Sequence, residues 1–167
     1  MKVAREYWGL MKTAIIAATA AGPIGAIPGA GIADAAALGT IWTTLTVAIC
    51  KRAGKPLSGD AAKSFVTASV TGAGAYYIGC KVASWILFLV PFFGQLGAIG
   101  ISSAANAIFT YRFGYSILKL IEKNAVDSGN VTEMAKVALG LMCKFPSVEE
   151  IMEIVQITKY TAQEKVS

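Results

Sequence analysis

Residues 82–111 read VASWILFLVPFFGQLGAIGISSAANAIFTY, a run of thirty residues without a charged side chain. A helix that crosses a bilayer needs about 20 consecutive apolar residues, so the run has sufficient length. Pro91 and Gly94 interrupt it, because proline removes a backbone donor and glycine weakens a helix. The run therefore predicts two helical arms joined by a turn that Val90-Pro91 opens.

The beginning of the chain has the same form. Residues 13–50 carry a single charge, at Asp34, and Pro/Gly pairs break the stretch near its middle. The returning arm ends in Lys51-Arg52, as the returning arm of the later run ends in Lys119 and Lys123. The sequence predicts two apolar hairpins, with turn residues Pro23, Pro28, Gly29, Gly31, Pro91 and Gly94.

Basic residues cluster at 2–12, 51–63 and 112–123, and two hairpins bring all three clusters to one side of a membrane. This is the asymmetry of the positive-inside rule, which predicts a membrane location with the basic ends cytoplasmic. Lys81 lies within an arm, where its methylene chain would allow the ammonium to reach the headgroups. The predicted membrane-surface contacts are Arg5, Trp8, Lys12, Lys51, Arg52, Lys55, Tyr111 and Arg112.

The composition excludes several classes of site. Hydrophobic residues make up 55% of the chain and charged residues only 15%, whereas soluble domains average about 25% charged. The chain has no histidine, and its three cysteines lack CxxC spacing, so neither a metal site nor a nucleophile–base pair is indicated. We expect no enzymatic activity, cofactor or metal, and the scattered cations do not predict nucleic-acid binding.

The sequence changes in character after residue 126, and we predict a membrane-associated hairpin domain over 1–126 and an amphipathic helical tail over 127–167. Asn130 to Glu133 forms a capping pattern, and Ser147 to Glu150 forms a capping box before a helix with apolar residues at helical spacing. The tail is expected to pack on the hairpin domain. The predicted fold is all-α, with about six helices.

Small and polar residues in the apolar arms are candidates for packing or function. Rows of small residues let helices approach closely, within the chain or between copies. Asp34 has two interpretations: a helix N-cap or interhelical bond, or an acid that handles ions or protons. The candidates for helix packing or self-association are Gly25, Gly29, Gly94, Gly97, Gly100 and Asn106.

Residues 17–123 resemble a bacterial family of unknown function that forms the C-terminal membrane part of YcjF-like proteins and of some Era-like small GTPases. The resemblance rests on the Ile27-Pro28 turn before Asp34, the turn 90–94, and the small-residue run 101–106. It implies membrane association and a GTPase partner. The chain contains no Walker-type loop, so this partner would be a separate protein.

These patterns predict a non-enzymatic, membrane-embedded, self-associating helical protein that organises or shapes a membrane or anchors a partner. Its expected partners are membrane lipid and further copies of itself. One alternative is an oligomeric pore in which Asp34 and Asn106 line a polar path. Another is a soluble cytoplasmic adaptor whose apolar arms form the core of an oligomer.

Overall fold

The computed structural model describes residues 5–25, 31–76, 97–127, 129–142, 144 and 147–154. Side chains are described in these ranges except at 22–25, 31–35, 72–76 and 97–102. The described chain forms six helices and no strand, which confirms the predicted all-α fold. They are α1 (Arg5–Gly25), α2 (Gly31–Arg52), α3 (Gly59–Tyr76), α4 (Gly97–Glu122), α5 (Val131–Met142) and α6 (148–154).

The ends of α2 and α4 share one termination motif. After α2, Gly54 has a φ of 69°, and the amide of Lys55 donates to the carbonyl of Cys50 at 3.0 Å. After α4, Asn124 has a φ of 52°, and the amide of Ala125 donates to the carbonyl of Leu120 at 2.8 Å. Both are Schellman motifs, in which a left-handed residue allows the last carbonyls to be satisfied.

Helix starts follow the side-chain caps that the sequence contains. The hydroxyl of Ser58 accepts a hydrogen bond from the amide of Ala61 at 3.1 Å, which starts α3. At α6 the amide of Ser147 donates to Glu150 at 2.9 Å, and the amide of Glu150 donates to the Ser147 hydroxyl at 3.2 Å. The predicted capping box is therefore confirmed.

The first four helices run alternately up and down. Only residues 26–30 connect α1 to α2, a reach of about 20 Å, whereas each helix is about 30 Å long, so the two must be antiparallel. The short 53–58 connection likewise makes α3 antiparallel to α2. Lys55 in this connection hydrogen-bonds to Asn124 after α4, so the α2–α3 and α4–α5 junctions lie at the same end.

An aromatic cluster holds α2, α3 and α4 together. The ring of Phe113 stacks on Trp42 with centroids 4.6 Å apart and on Phe65 at 5.3 Å. The indole N–H of Trp42 donates to the hydroxyl of Thr110 at 2.9 Å, which satisfies both buried groups. The core therefore combines apolar packing with a specific polar contact that fixes the register of α2 on α4.

Helix α4 lies at the centre and has α1 as its principal neighbour, although α1 belongs to the other predicted hairpin. Small buried residues line both helices: Ala14 and Ala18 on α1, and Ala104 and Ala107 on α4. Such residues let two helices approach closely. Helix α2 packs on α1, α3 and α4, while α5 packs on α3 and α4, so the first part of the predicted tail covers the hairpin helices.

The structure corrects two predictions about the first turn. Helix α1 continues through Pro23 to Gly25, so Pro23 lies in the last helical turn and not in the connection; the cost is one backbone hydrogen bond. Helix α2 begins at Gly31, which makes Asp34 its fourth residue and removes the N-cap interpretation. The predicted turn residues Pro28, Gly29, Pro91 and Gly94 lie outside the described residues, as does Lys81.

Candidate membrane-facing surface

The basic residues of the four long helices, apart from Arg112, lie at one end of the bundle. Because the helices alternate in direction, the start of α1, the end of α2, the start of α3 and the end of α4 meet there. Arg5, Lys51 and Arg52 are exposed, while Trp8, Lys12 and Lys55 are half-buried. The structure thus brings together six of the eight predicted surface residues. We call this the basic end; it also holds Lys63, Lys119 and Lys123.

Toward the other end the described surfaces of α1, α2, α3 and α4 carry no charge. The ranges 13–21 on α1, 36–50 on α2, 64–71 on α3 and 103–111 on α4 contain no charged residue. We call this the uncharged face; its exposed members are Thr13, Ala17, Ala20, Ala36, Thr40, Thr44, Ser64, Thr67 and Thr71. A water-facing surface of this extent normally carries charges, so the bundle is polarised along its axis.

Five threonines of α1 and α2 on this face have hydroxyls that donate to backbone carbonyls of their own helix. Thr13, Thr40 and Thr44 are exposed, and each donates to the carbonyl four residues earlier, at 3.0, 3.1 and 2.9 Å. Partly buried Thr19 and Thr43 form the same bond at 2.8 Å. Such bonds leave the methyl groups outward and the polar atoms paired within the helix, as an apolar environment requires.

A groove of about 270 Å³ runs between α1 and α2 on the uncharged face. Its walls are apolar or threonine side chains, including Leu10, Ala17, Ile41 and Ala48. A methyl-lined groove of this kind accommodates an acyl chain or a side chain of another copy. Within the part of the chain that the structure describes, no helix has both the length and the apolar character needed to cross a membrane.

Neither a protein-family model, nor a curated protein, nor a solved structure matches this chain. The resemblance to the YcjF-like and Era-like membrane modules, and the separate GTPase partner that it implies, therefore stay predictions.

Tyr111 and Arg112 correct the predicted surface set, because both are buried, with 0% and 1% of their surfaces exposed. Arg112 donates from Nη2 to Glu150 Oε2 at 2.8 Å and from Nη1 to the Met142 carbonyl at 3.3 Å. The Tyr111 hydroxyl donates to Glu153 at 3.1 Å. Helix α6 supplies both carboxylates, so these side chains hold α6 on α4 and do not contact a surface.

This buried polar network was not predicted from the sequence, because its partners are far apart in the chain. Glu150 is 38 residues from Arg112 and is only 4% exposed. Burial, followed by the nearby Glu153 carboxylate, raises the pKa of the Tyr111 hydroxyl, which therefore stays a protonated donor. One local signal existed: Glu150 is the last member of the capping box, where a carboxylate is already held in place.

The pore hypothesis gains no lining residue from Asn106. Asn106 is 6% exposed and lies on the buried side of α4, inside a single chain, so it does not face a path between copies. The side chain of Asp34 is outside the described part. Gly25, Gly97 and Gly100 lie within helices whose buried small residues pack within the chain, and their own surroundings are not described; Gly29 and Gly94 lie outside the described residues.

Potential metal ligands are not gathered at one place within the described residues. Among them no three cysteine or carboxylate side chains come together as a metal site. Cys50, at the end of α2, is reduced and fully buried. Its surroundings are those of a small apolar core residue, not of an activated nucleophile.

Cys50 should resist alkylation in the folded protein. Burial raises the pKa of its thiol from 9.0 to about 11, so at pH 8 the thiolate is about 100-fold scarcer than in an unfolded chain. Iodoacetamide labelling followed by mass spectrometry should show slow modification that accelerates up to about pH 11. Stability should fall as pH rises above 9, because the unfolded chain ionises first. Equal labelling of folded and urea-unfolded protein would contradict this.

Proposed function

We propose that this chain is a non-enzymatic membrane protein whose uncharged face enters the bilayer from one side while the basic end stays at the headgroups. The observation that carries the proposal is the separation of charge along the bundle. Among the side chains that the structure describes on the first four helices, exposed positions beyond the level of Thr13 and Thr44 are uncharged, and exposed cations such as Lys51 and Arg52 lie at the opposite end.

Two physical arguments support this orientation. Lysine and arginine near an anionic membrane surface gain roughly 1 kcal/mol each, which favours placing the basic end at the cytoplasmic leaflet. The hydroxyls of Thr13, Thr40 and Thr44 on the uncharged face donate within their own helices, so transferring these residues out of water leaves none of the three without an acceptor. Insertion from one side would organise or curve the leaflet that it enters.

Self-association belongs to the same proposal. The small buried residues of α1 and α4 pack within one chain. Copies would therefore contact each other through exposed small residues of the uncharged face, such as Ala17 and Ala20. Copies that meet there would close the groove between α1 and α2. Assembly of this kind would concentrate the inserted volume at one place in the membrane.

Thr40 and Lys51 provide a matched pair for testing insertion, since both are exposed residues of α2 and lie in opposite halves of the helix. Each is changed to cysteine in an otherwise cysteine-free chain, labelled with an environment-sensitive nitrobenzoxadiazole dye and reconstituted into phosphatidylglycerol-containing vesicles. We expect a blue-shifted emission at position 40 that lipids brominated on their acyl chains quench. At position 51 the emission should remain close to that in water.

Water-like emission at both positions would refute insertion of the uncharged face. If the same protein also purifies without detergent, the soluble-adaptor interpretation replaces the proposal. Quenching at position 51 as strong as at position 40 would refute the orientation while leaving membrane association in place.

A further inference from the structure

A second groove, separate from the one between α1 and α2, lies between α4, α5 and the start of α6. Its volume is about 560 Å³. Lys119 lines it from α4, Lys123 from the residue that follows α4, and Lys144 from the segment after α5; Arg112 and Glu150 also line it. Four cations and one carboxylate therefore surround a single cavity, which we call the cationic groove.

The lysines of the cationic groove are available to a ligand. Lys123 and Lys144 are exposed, and neither forms an ion pair with a described carboxylate. Lys119 pairs with exposed Glu122 at 2.5 Å, and this hydrogen bond raises the pKa of its ammonium, which stays charged at neutral pH. Arg112 is already bonded to Glu150. The groove therefore presents an excess of positive charge that the described chain leaves uncompensated.

The buried carboxylate of Glu150 is a second feature of the cationic groove and does not depend on its lysines. It is 4% exposed and lines the cationic groove. Its Oε2 accepts from Arg112 and from the Ser147 amide, whereas its buried Oε1 has no donor among the described residues. Buried carboxylate oxygens are normally hydrogen-bonded, so a ligand donor is the natural complement of this atom. The groove is thus suited to an anion that also carries a hydrogen-bond donor.

We propose that the cationic groove binds a phosphate ester of a polyol, such as a phosphoglycerol or phosphoinositol group. Lys123 and Lys144 hold the phosphate as point charges, and a hydroxyl of the polyol donates to Glu150 Oε1. The same chemistry occurs in free phosphate esters and in lipid headgroups. The proposal goes beyond membrane insertion, because a free compound would also bind.

The test uses the full chain with glycerol 3-phosphate as probe, titrated by isothermal calorimetry. Lys123→Gln and Lys144→Gln together should weaken binding by about 100-fold, roughly tenfold for each charge-assisted contact. The matched single variants are Lys144→Gln in the groove, expected to weaken binding about tenfold, and Lys136→Gln, an exposed lysine outside both the groove and the basic end, which should change affinity less than about twofold. Inorganic phosphate, which lacks the polyol hydroxyls, should bind about tenfold more weakly than the ester.

Flotation with vesicles of phosphatidylglycerol or of phosphatidylcholine alone identifies the source of the ligand. Tight binding of free glycerol 3-phosphate indicates a soluble ligand. Binding only to phosphatidylglycerol vesicles, weakened by Lys144→Gln and kept with Lys136→Gln, indicates a lipid headgroup; both outcomes support the proposal. The proposal is overturned if neither free glycerol 3-phosphate nor phosphatidylglycerol vesicles bind, or if Lys144→Gln and Lys136→Gln lose binding equally. It is also overturned if inorganic phosphate binds as tightly as the ester. The dye signal at position 40 reports insertion separately, so the two proposals fail independently.

Discussion

Replacing Arg112 with methionine is expected to lower the free energy of unfolding by about 3–5 kcal/mol, the usual cost of removing one partner from a buried ion pair. Arg112 is 1% exposed and forms a 2.8 Å ion pair with buried Glu150. Methionine fills most of the space but leaves a buried carboxylate without its cation and the Met142 carbonyl without this donor. Urea unfolding followed by far-UV circular dichroism measures the loss.

Lys119→Met is the matched control, since it removes an equivalent charge about two turns away on α4. The Lys119–Glu122 pair is exposed to water, and solvent screening makes such pairs weak, so stability should hardly change. A double variant, Arg112→Met with Glu150→Gln, should recover much of the loss, because glutamine keeps the capping box with Ser147 and removes the buried charge. Equal effects of Arg112→Met and Lys119→Met would contradict the buried network.

Replacing Gly114 with valine should cost about 3 kcal/mol through overpacking. A Cβ at position 114 would overlap the Met11 sulfur and lie 2.7 Å from its terminal methyl and 3.2 Å from a methyl of Leu45. The two closest atoms belong to the far end of the fully buried Met11 side chain, so the overlap is relieved only if this side chain repacks among its core neighbours. The substitution therefore disturbs the contact between α1 and α4, the helix pair with the most extensive packing. Thermal unfolding measures the change.

Gly9→Val provides the comparison, because Gly9 is an exposed residue of α1 at which an added Cβ would meet no atom within 4 Å. Valine is a better helix former than glycine, so the stability of this variant should stay within about 0.5 kcal/mol of the original. If both valine variants unfold at the same temperature, the close approach of α1 and α4 at Gly114 is refuted.

Local patterns in the sequence predicted a large part of the fold. Uncharged runs broken by proline and glycine predicted helical arms, and the hydroxyl and carboxylate of Ser147 and Glu150 predicted the start of α6, because helix formation and capping depend on residues within a few positions. The charge clusters likewise predicted that the cations would meet at one end. Pro23 was assigned wrongly, since a proline near a helix end costs only one hydrogen bond and need not stop the helix.

Contacts between distant residues decided the rest. Arg112 opens a basic cluster in the sequence, and only Glu150, 38 residues later, makes it an interior residue. The packing of α4 on α1 could not be predicted from the sequence either. Alanine and glycine occur on every arm, so many helix pairings satisfy the same small-residue pattern. The sequence by itself determined which segments are helical and where charge is absent, since these are local properties. The tertiary structure alone decided which small faces meet and which cations are buried, because both depend on the complementary shape and charge of residues far along the chain.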